Sequence, residues 1–223
     1  DVRQPLLEVV PFSLAPQSPA HTYPEQLTFV YGGVFLPWQD PFLGLKTLVE
    51  TMESKRQGHL HFFGGYHPVH KMPSTPVFEQ VKSLLGSSSS VTISPSIPRA
   101  QLLDRYCQSS VAWDVQAYNS ERGMAFTSRT AEYLWTGLPV VHQNYSELAN
   151  YIKDYEAGWL VDPEDADQMR SVILEIMENP EEIRRRGKNA QRLAFDKLNW
   201  ETTIAPIHRF MQDPTANSAQ KLY

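Results

Sequence analysis

The chain has 223 residues, 41% of them hydrophobic, with 20 basic against 25 acidic side chains and a formal charge of −5. The apolar share is enough for a sizeable core and excludes a disordered chain, while the acidic balance argues against a broad nucleic-acid surface or a polybasic membrane patch. A single cysteine, Cys107, excludes an internal disulfide, and no apolar run approaches the ~18 residues of a membrane span.

No secretory pattern opens the chain, so a cytoplasmic setting is expected, with peripheral membrane contact left open. A start at Asp1 rather than Met reads as a processed product or an excised fragment. Residues 1–27 hold five prolines and no regular period apart from Leu6-Leu7-Glu8-Val9-Val10-Pro11-Phe12, and read as a connector with one short strand. From there apolar strand patterns alternate with helical ones. Strands are predicted at 28–35, 59–63, 91–93, 111–115 and 138–142, and helices at 41–55, 76–85, 99–107 and 128–136. Phe42, Leu45, Leu48, Val49 and Met52 share one helical face, as do Met169, Val172, Ile173 and Ile176. Five strands separated by helices predict an α/β fold, a doubly wound parallel sheet of Rossmann-like type.

Beyond residue 142 the pattern turns helical, at 146–153, 166–178, 180–197 and 200–211, as extra C-terminal helices around the sheet edge. In the third of these, Glu181-Glu182-Ile183-Arg184-Arg185-Arg186 puts acids in the first turn and bases after them, the charge order of a solvated helix face. Residues 213–223 read as a frayed tail. Cys107 lies in a helical pattern and reads as a packing residue.

In an open parallel sheet, ligands bind beyond the carboxyl ends of the strands. Three loops there stand out. After the first strand, Gly32 and Gly33 would allow close backbone approach to a ligand, with Trp38 further along to cover an apolar or sugar face. Gly64 and Gly65 end the second strand. Residues 114–124 form a long polar stretch that reads as a binding loop. His59 and His61 share a strand face and His67 and His70 follow in a loop, yet no further partner has ligand spacing, so no metal site is expected.

The most specific segment is Ser128-Arg129-Thr130-Ala131-Glu132-Tyr133-Leu134-Trp135-Thr136-Gly137-Leu138-Pro139-Val140-Val141. It sets an acid and a base at the start of a helix, then closes that helix with a Gly-Leu-Pro turn into an apolar strand. The first turn of such a helix offers unpaired backbone N–H groups and a positive dipole end to an anion such as phosphate.

Together with Tyr145-Ser146-Glu147-Leu148 and Ala157-Gly158-Trp159-Leu160-Val161, this segment resembles the C-terminal, donor-binding domain of group 1 retaining glycosyltransferases of the two-domain GT-B fold. The resemblance covers residues 28–212, including a closing helix that crosses back toward the other half, and is most specific between 121 and 165. It implies a nucleotide-diphosphate-sugar donor of UDP or GDP type, no cofactor and no required metal. It also implies a hydroxyl acceptor, a setting in polysaccharide biosynthesis, and a partner in the N-terminal acceptor domain of the same enzyme.

By position, Glu132 matches the acid that holds the ribose hydroxyls. The backbone of Phe126, Thr127 and Ser128 would face the diphosphate, Arg129 would neutralise the departing diphosphate, and Ile97 with Pro98 resembles the loop that cradles the base. Two departures stand out. Met124 occupies the place where many members put a first glutamate near the sugar, and Glu121 is the nearest acid, a candidate catalytic substitute. The loop after the first strand lacks the arginine and lysine that many members use for the phosphates. A nucleotide-sugar epimerase and a non-catalytic interaction module therefore remain as alternative readings.

Overall fold

The computed structural model describes residues 10–65 and 74–212. Strand β1 (Thr28–Val34) is followed by α1 (Phe42–Lys55), β2 (His59–Gly65), α2 (Pro76–Gly86), β3 (Val91–Ser94), α3 (Arg99–Tyr106) and β4 (Val111–Asp114). Then come α4 (Ser120–Met124), α5 (Ser128–Trp135), β5 (Val140–Gln143), α6 (Glu147–Tyr155), β6 (Gly158–Val161), α7 (Ala166–Glu178), α8 (Pro180–Lys197), α9 (Trp200–Thr203) and α10 (Ala205–Gln212).

The strands form one sheet in the order β3-β2-β1-β4-β5-β6, with every pair parallel. Strands buried on both faces need apolar residues at nearly every position, and Val111-Ala112-Trp113-Asp114 is buried throughout. The pleat sends alternate residues to opposite layers. Phe29 and Tyr31 pack with Leu45, Leu48 and Met52 of α1 and Ile173 of α7, whereas Val30 packs with Ala131 and Leu134 of α5 and Leu193 of α8. Fully burying each such side chain contributes about 1.5–3 kcal/mol.

Chain winding reverses between β1 and β4, and such a switch point opens a crevice at the carboxyl ends of the two strands. Residues 14–23 also lie on this domain. Leu14 is buried and bridges to Asn199, the two ring nitrogens of His21 lie 2.8 and 2.9 Å from the carbonyl oxygens of Thr136 and Ser109, and the Tyr23 hydroxyl donates to the Gly137 carbonyl at 3.0 Å.

Four differences from the sequence reading have local causes. Among the described residues the sheet has six strands, not five: β6 is four residues long and opens on a glycine, too short to carry a period. The stretch 114–124 is not all loop, because Asn119 accepts from the Arg122 N–H at 2.8 Å and caps the single turn α4. The helix predicted at 200–211 breaks at Ile204 into α9 and α10, just before Pro206, which has no N–H to donate back into the first piece. Of the short strand expected in the connector, residues 10–12 are unpaired coil and the rest lies outside the described residues, as do the tail at 213–223 and His67 and His70.

Candidate functional site

Helix α5 ends as its sequence requires. Gly137 takes φ +79°, its N–H donates to the Leu134 carbonyl at 3.1 Å and the Leu138 N–H to the Tyr133 carbonyl at 3.0 Å, the paired bonds of a glycine-terminated helix. Its buried face is Thr130, Ala131, Tyr133 and Leu134. The remaining face carries Ser128, Arg129 and Glu132 into a cleft of about 570 Å³ at the switch point. Thr127, the N-cap, makes no side-chain bond to the first turn, so those N–H groups are left to a ligand or water.

The opposite wall comes from the end of β1. A Cβ on Gly32 would overlap the Tyr106 hydroxyl, and the Gly32 N–H donates to the Tyr133 hydroxyl at 2.9 Å. Gly33 adopts φ +120°, and a Cβ there would meet Arg129 Nε at 3.4 Å. Glycines at both positions thus let the β1 loop close down on α3 and on Arg129.

Arg129 lies over the Tyr31 ring, 4.7 Å from guanidinium carbon to ring centroid. Its Nη1 is buried without a hydrogen-bond partner, and among the described residues no carboxylate comes within 4.0 Å of the guanidinium. Burial works against its charge, but the Tyr31 oxygen and the Asp114 carboxylate outweigh that and hold the group protonated. Asp114 ends β4, fully buried. Burial would raise its carboxyl, yet the Arg129 charge, His142 and the 2.5 Å bond from Thr130 hold it well below the usual carboxylate range. His142 Nδ1 is 3.6 Å from the same carboxylate.

The other charged groups of the cleft are already paired. Arg122 is 6% exposed and donates from Nε and Nη2 to the two oxygens of Glu121 at 2.6 and 2.7 Å, which pulls the Glu121 pKa down. Glu121 is therefore not a free carboxylate in this arrangement. Arg99 of α3 donates to Glu132 at 2.6 Å.

Of the sequence candidates, Gly32, Gly33, Glu121, Phe126, Thr127, Ser128, Arg129 and Glu132 line this one cleft. Ile97 instead lines a neighbouring cleft of about 500 Å³ with Phe63, Ser94 and Gln101. Trp38 is half exposed, and its ring N–H donates to the Glu121 carboxylate of the first cleft. Met124 is 80% exposed.

The sequence reading gave no role to Arg122, Asp114, Arg99 or Tyr31. Asp114 had a readable signal, a lone acid ending an apolar strand; the others depend on three-dimensional proximity. His59 bonds to Thr92 Oγ1 at 2.8 Å, and among the described residues no three His, Cys, Asp or Glu side chains are grouped to hold a metal ion.

The all-parallel sheet, with a crevice at its switch point that holds a helix N-terminus and the unbonded Nη1 of Arg129, defines a Rossmann-like domain. The family model for "Glycosyl transferases group 1" matches residues 18–193, and the chain belongs to that family, whose members transfer sugars. The MMP alpha-(1->4)-mannosyltransferase of Mycolicibacterium hassiacum is 27% identical over 134 residues, 60% of this chain and 31% of that protein.

Sucrose-phosphate synthase from Thermosynechococcus elongatus superposes with a TM-score of 0.74 at 22% identity, over 94% of this chain and 53% of that one. Anabaena Alr3699/HepE in complex with UDP-glucose superposes with a TM-score of 0.66 at 14% identity, over 84% and 49%. A C-terminal domain of a group 1 family glycosyl transferase, LpcC from Francisella tularensis, is covered over 87% of its length with a TM-score of 0.60 at 13% identity. The fold is that of one GT-B half, and the chain spans about a third of the matched mannosyltransferase and half of the synthase. No helix among the described residues is long and apolar enough to cross a membrane.

Proposed function

We propose that this chain is the donor half, residues 28–212, of a retaining glycosyltransferase that moves a hexosyl group from a UDP- or GDP-type sugar to a hydroxyl acceptor, without a required metal. The observation that carries the reading is Arg129, half-buried with its Nη1 wholly buried and unbonded and no carboxylate within 4.0 Å, set between the N-terminus of α5 and the glycines of β1. Asp114 balances the charge from beyond 4.0 Å, so the unbonded Nη1 is left for an anionic ligand, whose charge-assisted hydrogen bond contributes about 1.5–3 kcal/mol.

In this reading the diphosphate rests on the first-turn N–H groups near Phe126, Thr127 and Ser128 and on Arg129. Glu132 accepts the ribose hydroxyls, exchanging part of its bond to Arg99 for them, and the base reaches toward Ile97. During transfer the anomeric C1–O bond to the diphosphate breaks and a C1–O bond to the acceptor forms on the same face. Arg129 and the N–H groups take up the charge of the departing diphosphate. The acceptor and the base that removes its proton belong to the N-terminal half, so the chain alone binds nucleotide but turns over little sugar. One observation favours a second reading, a non-catalytic nucleotide-binding module: the exposed Met124 in place of an acid.

Titration calorimetry with UDP, GDP and ADP on the wild type and on Glu132→Ala is the test. One of them should bind, with affinity falling about tenfold or more in the variant. No binding by any of the three overturns the proposal.

A further inference from the structure

The cleft holds a second guanidinium that the proposed site does not use. Arg122 lines it together with Arg129 and is almost wholly buried, while Glu121, which neutralises it, has 48% of its side chain exposed. Glu121 and Arg122 are neighbours in sequence, and adjacent residues on a helical turn do not face one another. The two-pronged bond therefore forms because Glu121 folds back over Arg122 from the solvent side. Arg122, 6% exposed, is the interior member of the pair, and the Glu121 carboxylate, which also accepts from the Trp38 ring N–H, is the outer, displaceable one.

The β1 loop, 32–40, contains no lysine or arginine, so the positive charge at this end of the cleft comes from α4 and α5. Two guanidinium ions there, Arg122 and Arg129, face the buried Asp114 carboxylate on the inner side and Glu121 on the outer. Like charges in one cleft repel, and Glu121 relieves that repulsion while no ligand is bound.

We propose that Arg122 is a second diphosphate-binding residue and Glu121 its exchangeable counter-ion, displaced when the diphosphate enters. This rests on the nucleotide-binding reading given above. It implies a specific discrimination: a single phosphate is met by Arg129 and the α5 N-terminus, whereas only a diphosphate also recruits Arg122. The exchange forms and breaks no covalent bond, and Glu121 returns to Arg122 when the diphosphate leaves.

The test is calorimetry on the full chain with the nucleoside, monophosphate and diphosphate of whichever base binds best, alongside a thermal melt of each variant. Glu121→Gln, which keeps the shape and removes the competing charge, should bind the diphosphate about threefold to tenfold more tightly. Arg122→Gln should weaken the diphosphate about tenfold or more and leave the monophosphate within about twofold, with Arg122→Lys in between. A Glu121→Gln protein that binds the diphosphate equally or less tightly overturns the inference. So does an Arg122→Gln protein whose monophosphate and diphosphate affinities fall by the same factor. If the wild type binds no nucleotide, the functional proposal fails as well, whereas wild-type binding with no gain in Glu121→Gln defeats this inference alone.

Discussion

On α8, Arg184 pairs with Glu181 and Arg185 with Glu182, each one turn away, and nearly half of each arginine side chain stays in water. In the cleft, Arg129 has no carboxylate within 4.0 Å and a buried, unpaired Nη1, and Arg122 is shielded by a residue beside it. The same side chain thus serves two ends. On α8 the arginines are spaced to satisfy themselves, which contributes little either way. In the cleft Arg129 is held charged by the more distant Asp114 carboxylate with its Nη1 left unbonded, and an anionic ligand can take that donor.

The contrast can be broken most forcefully at Asp114. Replacing it with alanine strips Arg129 of its main countercharge and leaves Thr130 and His142 without their shared acceptor. Stability should fall by about 3–5 kcal/mol, read as a drop in the urea midpoint.

A smaller effect is expected at His21, where burial holds the imidazole pKa below 6.5 against the pull of two carbonyl acceptors. Because the unfolded chain takes up that proton first as pH falls, stability should be full above the ordinary histidine range and decline below about pH 6.5. Melting temperatures from about pH 8 to about pH 5 should decline less steeply in His21→Gln than in the wild type. The smallest effect belongs to α8: Arg184→Gln should shift stability by about 0.5 kcal/mol or less in the same urea measurement, because its pair with Glu181 is exposed.

The part of this contrast that lies on α8 was legible in the sequence, since acids in a first turn and bases after them follow from local spacing. So were nine elements of the β/α alternation up to residue 142 and the helix pattern at 166–178 and 180–197, because each carries its own apolar period. What escaped was short or non-local. Strand β6 and helix α4 have four and five residues, too few for a period, although Asn119 and Glu121 did carry a capping signal for α4.

Within the cleft, Gly32, Gly33 and the 126–132 segment were found because glycines at a strand end and a helix start are local features. The Arg122–Glu121 pair, the Arg99–Glu132 pair and the stacking of Arg129 on Tyr31 are not. Arg99 and Glu132 lie 33 positions apart, and Tyr31 and Asp114 reach Arg129 only once β1 and β4 are neighbours in the sheet.

The central claim, that Arg129 takes up an anionic ligand besides balancing Asp114, is tested most directly by one comparison. Arg129→Met and the wild type are titrated with UDP and GDP and melted in the absence of ligand. Nucleoside diphosphate affinity should be about tenfold or more weaker in the variant, and its melting temperature should fall as well, because the buried Asp114 carboxylate loses its largest compensating charge. Unchanged nucleoside diphosphate affinity in the folded variant would contradict it.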